Sequence, residues 1–255
     1  MIIQIIGLPG SGKTELSKAL KERINAIHLN ADEVRATVNI DLGFTNEDRI
    51  EQARRMGEMA RLISKQGVAP VIVDFVCPTL QTREAFGYAD IIIWMNTIEF
   101  SRFEDTNKIW EVPLYYDIEI KGDINTQNII QNTNRVIEEM QIFDWSAPTT
   151  LQLGRYQPWH EGHQALKNEA HKRTNQVLVG VRNTYGTSEK DPMTYKEVEY
   201  YIEKDNFNKN TKIMRLPNIT NIVYGRDVGY KIEEVKLDAN TEAISATQKR
   251  KEMGI

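Results

Sequence analysis

Residues 1–14 read Met1-Ile2-Ile3-Gln4-Ile5-Ile6-Gly7-Leu8-Pro9-Gly10-Ser11-Gly12-Lys13-Thr14, an apolar run that enters a glycine-rich loop of the form G-x-x-x-x-G-K-[ST]. The run Ile2 to Ile6 predicts a buried strand, and the apolar spacing of Thr14 to Arg23 predicts a helix. Strand, loop and helix in that order are the context in which the motif binds phosphate. Glycines let backbone N–H groups approach phosphate oxygens, and the helix N-terminus adds positive potential. Gly7, Pro9, Gly10, Ser11, Gly12, Lys13 and Thr14 are therefore the expected ATP-binding residues. Lys13 would reach the β- and γ-phosphates, and Thr14 would ligate Mg²⁺.

Working outward, further buried strands are expected at 26–29, 70–75 and 90–95, with helices at about 47–66 and 126–141. Alternating strands and helices predict an α/β fold whose mainly parallel sheet is covered on both faces. The turn-rich segment Asp144-Trp-Ser-Ala-Pro-Thr-Thr150 then marks a connector. Beyond it the alternation resumes, with strands at 151–155, 176–181 and 212–216 and helices at about 161–173 and 194–204. Charge changes at the same place: residues 1–147 hold 15 basic and 22 acidic side chains, and residues 148–255 hold 17 and 14. Two domains are expected, 1–147 and 148–255, the first a kinase-type parallel sheet around the phosphate loop and the second a smaller α/β layer structure.

Composition excludes several classes. With 40% hydrophobic and 27% charged residues the chain reads as an ordinary globular protein. No apolar run approaches the roughly 20 residues of a membrane span. The net charge of −4 gives no general case for nucleic acid. The single cysteine, Cys77, excludes an internal disulfide or a multi-cysteine metal site. The N-terminus lacks the pattern of a signal peptide. A cytoplasmic enzyme acting on small molecules is the expectation, with no nucleic acid or membrane partner; homo-oligomerisation is left open.

Asp32 follows the second strand, where a carboxylate faces the phosphate end of a parallel sheet. There it could take the proton of an attacking hydroxyl or help to hold Mg²⁺. Asp74 ends the run Val-Ile-Val-Asp, from which an aspartate approaches the metal beside Thr14. Either could instead cap a helix or sit in a solvated loop. Arg35, Arg49, Arg54 and Arg55 could clamp an anionic acceptor by paired hydrogen bonds, or be solvated helix residues.

Four segments in sequence carry a resemblance: Asn30-Ala-Asp-Glu-Val-Arg35, Asn39-Ile-Asp-Leu-Gly-Phe44, Glu47-Asp-Arg49-Ile-Glu-Gln-Ala-Arg-Arg55-Met-Gly-Glu and Asp74-Phe-Val-Cys-Pro78. Over about residues 1–120 the chain resembles adenylyl-sulfate kinase. The resemblance implies Asp32 as the catalytic carboxylate and Arg35, Phe44 and Arg49 as contacts to adenylyl sulfate. Gln52 stands where that family usually has a substrate-contacting Asn, and Cys77 where it usually has Ser. The family's long lysine-rich lid is replaced by the shorter stretch 105–113, in which Lys108 could neutralise phosphate and Trp110 could stack on a base or pack in the core.

A second motif, Gly154-Arg155-Tyr156-Gln157-Pro158-Trp159-His160-Glu161-Gly162-His163, follows a predicted strand and opens a predicted helix. Imidazoles three residues apart at a helix N-terminus can donate hydrogen bonds to the phosphates of a nucleoside triphosphate. The motif resembles the nucleotidyltransferase signature, and Ile244-Ser245-Ala-Thr247-Gln-Lys-Arg250 is similar to the I-S-x-T-x-x-R motif of the same superfamily. The resemblance implies His160 and His163 as catalytic, and Gly154, Arg155, Tyr156, Ser245, Thr247 and Arg250 as nucleotide-binding. Gly154 to Pro158 and Asp191-Pro-Met-Thr-Tyr-Lys196-Glu look more like the nicotinamide-nucleotide adenylyltransferase branch, which favours ATP as donor. His28 and His171 stand alone in the sequence and read as structural.

The leading expectation is a bifunctional enzyme: Lys13 and Asp32 serve an ATP-dependent kinase, adenylyl sulfate being the favoured acceptor, and His160 and His163 serve an adenylyltransferase. The alternatives are a nicotinamide riboside kinase joined to its adenylyltransferase, or a nucleotide-binding regulatory protein with one inactive domain.

Overall fold

A computed structural model describes residues 1–184, 186–205, 210–223, 225, 229 and 231–254. The chain divides into two compact units, Met1–Ser146 and Ala147–Ile255.

The first unit runs β1 (Ile2–Gly7), α1 (Lys13–Ile24), β2 (Ile27–Asn30), α2 (Ala31–Thr37), α3 (Asn46–Ser64), β3 (Val71–Phe75), α4 (Leu80–Phe86), β4 (Ile91–Asn96), α5 (Glu104–Ile109), β5 (Ile118–Lys121) and α6 (Thr126–Glu139). Its five strands are all parallel, in the order β2-β3-β1-β4-β5. Strand period 2 splits β1 between two cores: Ile3 and Ile5 pack with Leu16, Leu20 and Ile24 of α1, while Ile2 and Ile6 pack with Met56 and Ala60 of α3 and Phe86 of α4. Both faces are therefore covered, as a parallel sheet of apolar strands requires.

The register places the site. Ile5 pairs with Asp74 and Asn30 pairs with Asp74, so the carboxyl ends of β1, β2 and β3 meet at one edge, where the phosphate loop leaves the sheet. Three short helices and one strand escape the sequence expectation. β5 has four residues, of which Ile118 and Ile120 are buried, too short a run to stand out from its surroundings. α2, α4 and α5 have seven, seven and six residues, short of the two full turns that periodicity needs.

The second unit runs β6 (Thr149–Gly154), α7 (Glu161–His171), β7 (Gln176–Arg182), α8 (Tyr195–Asp205), β8 (Thr211–Leu216), α9 (Ala239–Glu242) and α10 (Ala246–Met253). Its three parallel strands lie in chain order, β6-β7-β8. Successive right-handed crossovers between neighbours put their helices on one face. Val177, Val179 and Val181 accordingly pack with Ala170 of α7 and with Val198 and Ile202 of α8 in a single core. On the opposite pleat Leu151 is 50% exposed. Among the described residues, α7 and α8 cover the face that carries Val177, Val179 and Val181. Among the described residues no helix is long and apolar enough to cross a membrane.

Gly57 explains part of the Arg55-Met56-Gly57-Glu58 segment in packing terms. A Cβ there would lie 2.1 Å from the carbonyl oxygen of Phe86, so only glycine lets α3 approach the end of α4. Gly57→Ala gains about 1 kcal/mol of helix propensity but forces this backbone contact apart. The clash wins: urea denaturation should show the variant less stable by ~1–3 kcal/mol, and equal or greater stability would refute the close approach.

Candidate functional site

The first cluster forms on the loop after β1. Lys13 begins α1, is buried, and donates from Nζ to the carbonyl of Leu8 at 2.8 Å, folding its ammonium back over the loop. Burial is the main cause that lowers its pKa to about 8, opposed by the charges of Asp74, Asp32 and Glu15. Bound phosphates would reverse that cost by supplying negative charge. Ser11 has a buried Oγ without a partner among the described residues, in a loop where a phosphate oxygen could accept from it.

Thr14 donates from Oγ1 to Asp74 Oδ2 at 2.7 Å. Asn30 donates from Nδ2 to both oxygens of Asp74, at 3.0 and 3.2 Å, while its Oδ1 accepts from the backbone N–H groups of Asp32 and Glu33 and so caps α2. His28, which reads as structural in the sequence, lies 2.8 Å from Asp74 Oδ1 through Nε2. Its isolation in the sequence is not isolation in the fold. Asp74 is 1% exposed, so these hydrogen bonds are what make burial of its carboxylate tolerable.

Among the described residues no three His, Cys, Asp or Glu side chains gather as a metal site. Mg²⁺ in nucleotide sites needs only one or two protein oxygens beside the phosphates and water. The adjacent hydroxyl of Thr14 and carboxylate of Asp74 fit that requirement.

Asp32 is exposed in the first turn of α2, close enough to act electrostatically on both Lys13 and Arg35. Arg35 and Arg49 flank Phe44, with guanidinium carbons 4.7 and 5.6 Å from the ring centroid. Phe44 is 65% exposed, a large apolar face held by two cations. Arg35 donates to the carbonyls of Leu42 and Gly43. Arg49 donates to Phe44 O and to Asp105 and Thr106 of α5. The structure thus brings Arg35, Phe44 and Arg49 together.

Gln52 is different. It is 2% exposed, its Oε1 accepts from Asn39 and its Nε2 donates to Ala31 O, so its amide braces α2 from within. It can influence the acceptor side through the position of α2. Arg54 and Arg55 pair with Glu51, and Arg55 also with Asp41. Lys108 is exposed, whereas Trp110 packs against the core with Arg83 over its ring.

In the second unit the two distant motifs meet. Arg250 donates to the carbonyl of Gln157 at 2.7 Å and to Thr247 Oγ1 at 3.2 Å, and Lys249 pairs with Glu161 at 3.1 Å. Ser245 caps α10 by accepting from the N–H of Gln248. Gly154 ends β6, and a Cβ there would strike the ring of Tyr156, whose hydroxyl donates to Gln152 O at 2.8 Å. Arg155 pairs with Asp191.

His160 caps α7 by accepting at Nδ1 from the N–H of Gly162, which puts its own hydrogen on Nε2, free to donate. His163 stacks on it with ring centroids 3.8 Å apart, and its Nδ1 is buried without a partner among the described residues. Burial, then the charge of His160, lowers the pKa of His163 to about 3; burial first also lowers that of His160. Both rings are neutral donors at neutral pH. His171 lies against Thr211 at 3.1 Å, consistent with a structural role.

Residues 1–91 match the family model for adenylylsulphate kinase. Similar curated proteins include the adenylyl-sulfate kinase of Myxococcus xanthus, 42% identical over 86 residues, which are 32% of this chain and 46% of that protein. The probable adenylyl-sulfate kinase of Bacillus subtilis is 39% identical over 88 residues, 32% and 44% of the two chains. The match thus spans less than half the length of these relatives. Among solved structures, the Mycobacterium tuberculosis APS kinase in complex with AMPPNP and APS is 21% identical with a TM-score of 0.48, covering 55% of this chain and 96% of that chain.

A depressed histidine pKa has a definite effect on stability. Because the fold holds His163 neutral, no cost arises above the ordinary histidine value of 6.5; below it the unfolded chain takes up a proton that the fold refuses until about pH 3. Stability is therefore lost as pH falls from 6.5. Between pH 7 and 4.5 the amides of β7 in the ligand-free protein should lose ~1–2 kcal/mol more exchange protection than those of His163→Gln. Equal losses in the two proteins would refute the assignment.

Proposed function

We propose that the first unit is an ATP-dependent kinase that phosphorylates a hydroxyl of an anionic small molecule, adenylyl sulfate being the favoured acceptor. The observation that carries this reading is the part-buried hydrogen bond from Thr14 to Asp74 directly beside Lys13. The family match over residues 1–91 supports this reaction class, and the exposed ring of Phe44 beside Arg35 and Arg49 suits an acceptor that combines a flat base with negative charge.

In this reading the loop amides and Lys13 hold the β- and γ-phosphates. Thr14 and Asp74 hold Mg²⁺, which when bound neutralises phosphate charge. The acceptor hydroxyl attacks the γ-phosphorus, the bond from that phosphorus to the β–γ bridging oxygen breaks, and ADP departs with the electron pair. Asp32 takes the hydroxyl proton. Arg49 must exchange its Asp105 partner for the acceptor's anion, or reach both.

The second unit is proposed to be a nucleotidyltransferase. The observation favouring it is the seating of Arg250 on Gln157 O, which joins the C-terminal motif to the histidine motif. The Nε2–H of His160 would donate to the triphosphate, with His163 stacked behind it and Arg250 beside it. An acceptor phosphate oxygen would attack the α-phosphorus and pyrophosphate would leave. Gly154, Arg155, Tyr156, Ser245 and Thr247 shape this cradle.

The test offers Mg-ATP with adenylyl sulfate, nicotinamide riboside, nicotinamide mononucleotide and sugar phosphates, measuring ADP and pyrophosphate separately. Lys13→Ala should lower ADP formation by at least about 10²-fold and leave pyrophosphate release intact, and His163→Ala should do the reverse. Survival of both activities in either variant would sink the two-site reading, and absence of ADP with adenylyl sulfate would remove it as the acceptor.

A further inference from the structure

We propose that His28 is a positioning residue for the metal-binding face of the kinase site, acting through Asp74. The proposal rests on the kinase reading of the first unit and adds to it a residue that lies outside the phosphate loop.

The argument begins with strand geometry. His28 and Asn30 are two residues apart on β2, so both side chains emerge on the same face of the sheet. That face carries α1, because Ile72, the register partner of His28, belongs to the core with Leu16 and Leu20. Asp74, two residues after Ile72, emerges there too and pairs in register with Asn30. The His28 side chain is 9% exposed, and its Nε2 meets Oδ1 of Asp74 at 2.8 Å. An ionised carboxylate only accepts, so the hydrogen of the contact belongs to His28 Nε2.

A carboxylate can turn about its terminal torsion, which is broad and has no sharp staggered wells. The partners of Asp74 are divided between its two oxygens in a way that stops this turning. Oδ1 accepts from His28 at 2.8 Å and from Asn30 at 3.0 Å, while Oδ2 accepts from Thr14 at 2.7 Å and more distantly from Asn30 at 3.2 Å. Asn30 touches both oxygens and so discriminates weakly between them. His28 touches one. It therefore holds the carboxylate plane at the angle that keeps an oxygen beside Thr14 and the phosphate loop, and residues that orient a metal-holding carboxylate typically change metal affinity by 10–100-fold when removed. A residue that merely filled space on β2 would have no such effect.

The experiment uses the full chain carrying Arg250→Ala, which weakens the other proposed nucleotide site. Binding of a fluorescent non-hydrolysable ATP analogue is titrated with Mg²⁺. His28→Leu, which keeps bulk and removes the donor, should raise the half-saturating Mg²⁺ concentration about tenfold or more while leaving affinity for the analogue without metal unchanged. His28→Gln, whose amide can donate, should recover most of the shift. An unshifted Mg²⁺ titration in His28→Leu overturns the proposal. So does an equal loss of metal-free affinity, or a failure of His28→Gln to recover. Lys13→Ala on the same background serves as the blank: if it leaves the titration intact, binding is not at the phosphate loop and the kinase reading itself falls, taking this proposal with it.

Discussion

A buried, ionisable carboxylate organises the first unit. Asp74 sits at the carboxyl end of a strand whose other residues are apolar, and its burial is tolerable only because Thr14, Asn30 and His28 all donate to it. Each donor comes from a different part of the chain: the phosphate loop, the end of β2 and its middle. Satisfying Asp74 thus requires β1, β2 and β3 to be in register, and the polar network specifies the same sheet that the hydrophobic cores stabilise. Asn30 extends the constraint to α2 because its oxygen caps that helix while its nitrogen braces Asp74. Asp32, on the first turn, is placed by the same amide.

The parts of this arrangement that could be read from the sequence are those whose chemistry is contiguous. The loop from Gly7 to Thr14 announces itself because strand, glycines, lysine and helix follow one another. Asp74 is legible because it terminates an apolar run. His28 was not, since nothing local in Ala26-Ile-His-Leu29 reveals that parallel pairing will place its ring against Asp74. Gln52 carries a structural use that the sequence does not announce: its position in an otherwise matching motif suggests contact with a ligand, and in the fold its amide also bonds to Asn39 and Ala31. The short elements β5 and α2 are held by tertiary burial of two residues each, a signal too brief for periodicity.

The second unit shows how a motif can assemble across sequence distance. The carbonyl of Gln157 and the carboxylate of Glu161 are acceptors, and Arg250 and Lys249 are the donors that meet them. The stacked rings of His160 and His163 are kept neutral mainly by burial. Neutral rings donate hydrogen bonds without the cost of burying two like charges at 3.8 Å. This arrangement suits an anion that arrives with its own counter-charge.

The two sheets differ in strand order, and that difference sets how each chain segment finds its partners. In the first unit β1 is central, yet its neighbours β3 and β4 begin some seventy and ninety residues into the chain, at Val71 and Ile91. Closing those pairings costs loop entropy before any contact repays it. In the second unit each strand pairs with the next, so its strand pairings span shorter stretches of chain. The smaller unit should therefore cross its folding barrier faster than the larger one, whereas β1 and the phosphate loop it carries wait through some seventy to ninety residues of chain before β3 and β4 can flank them.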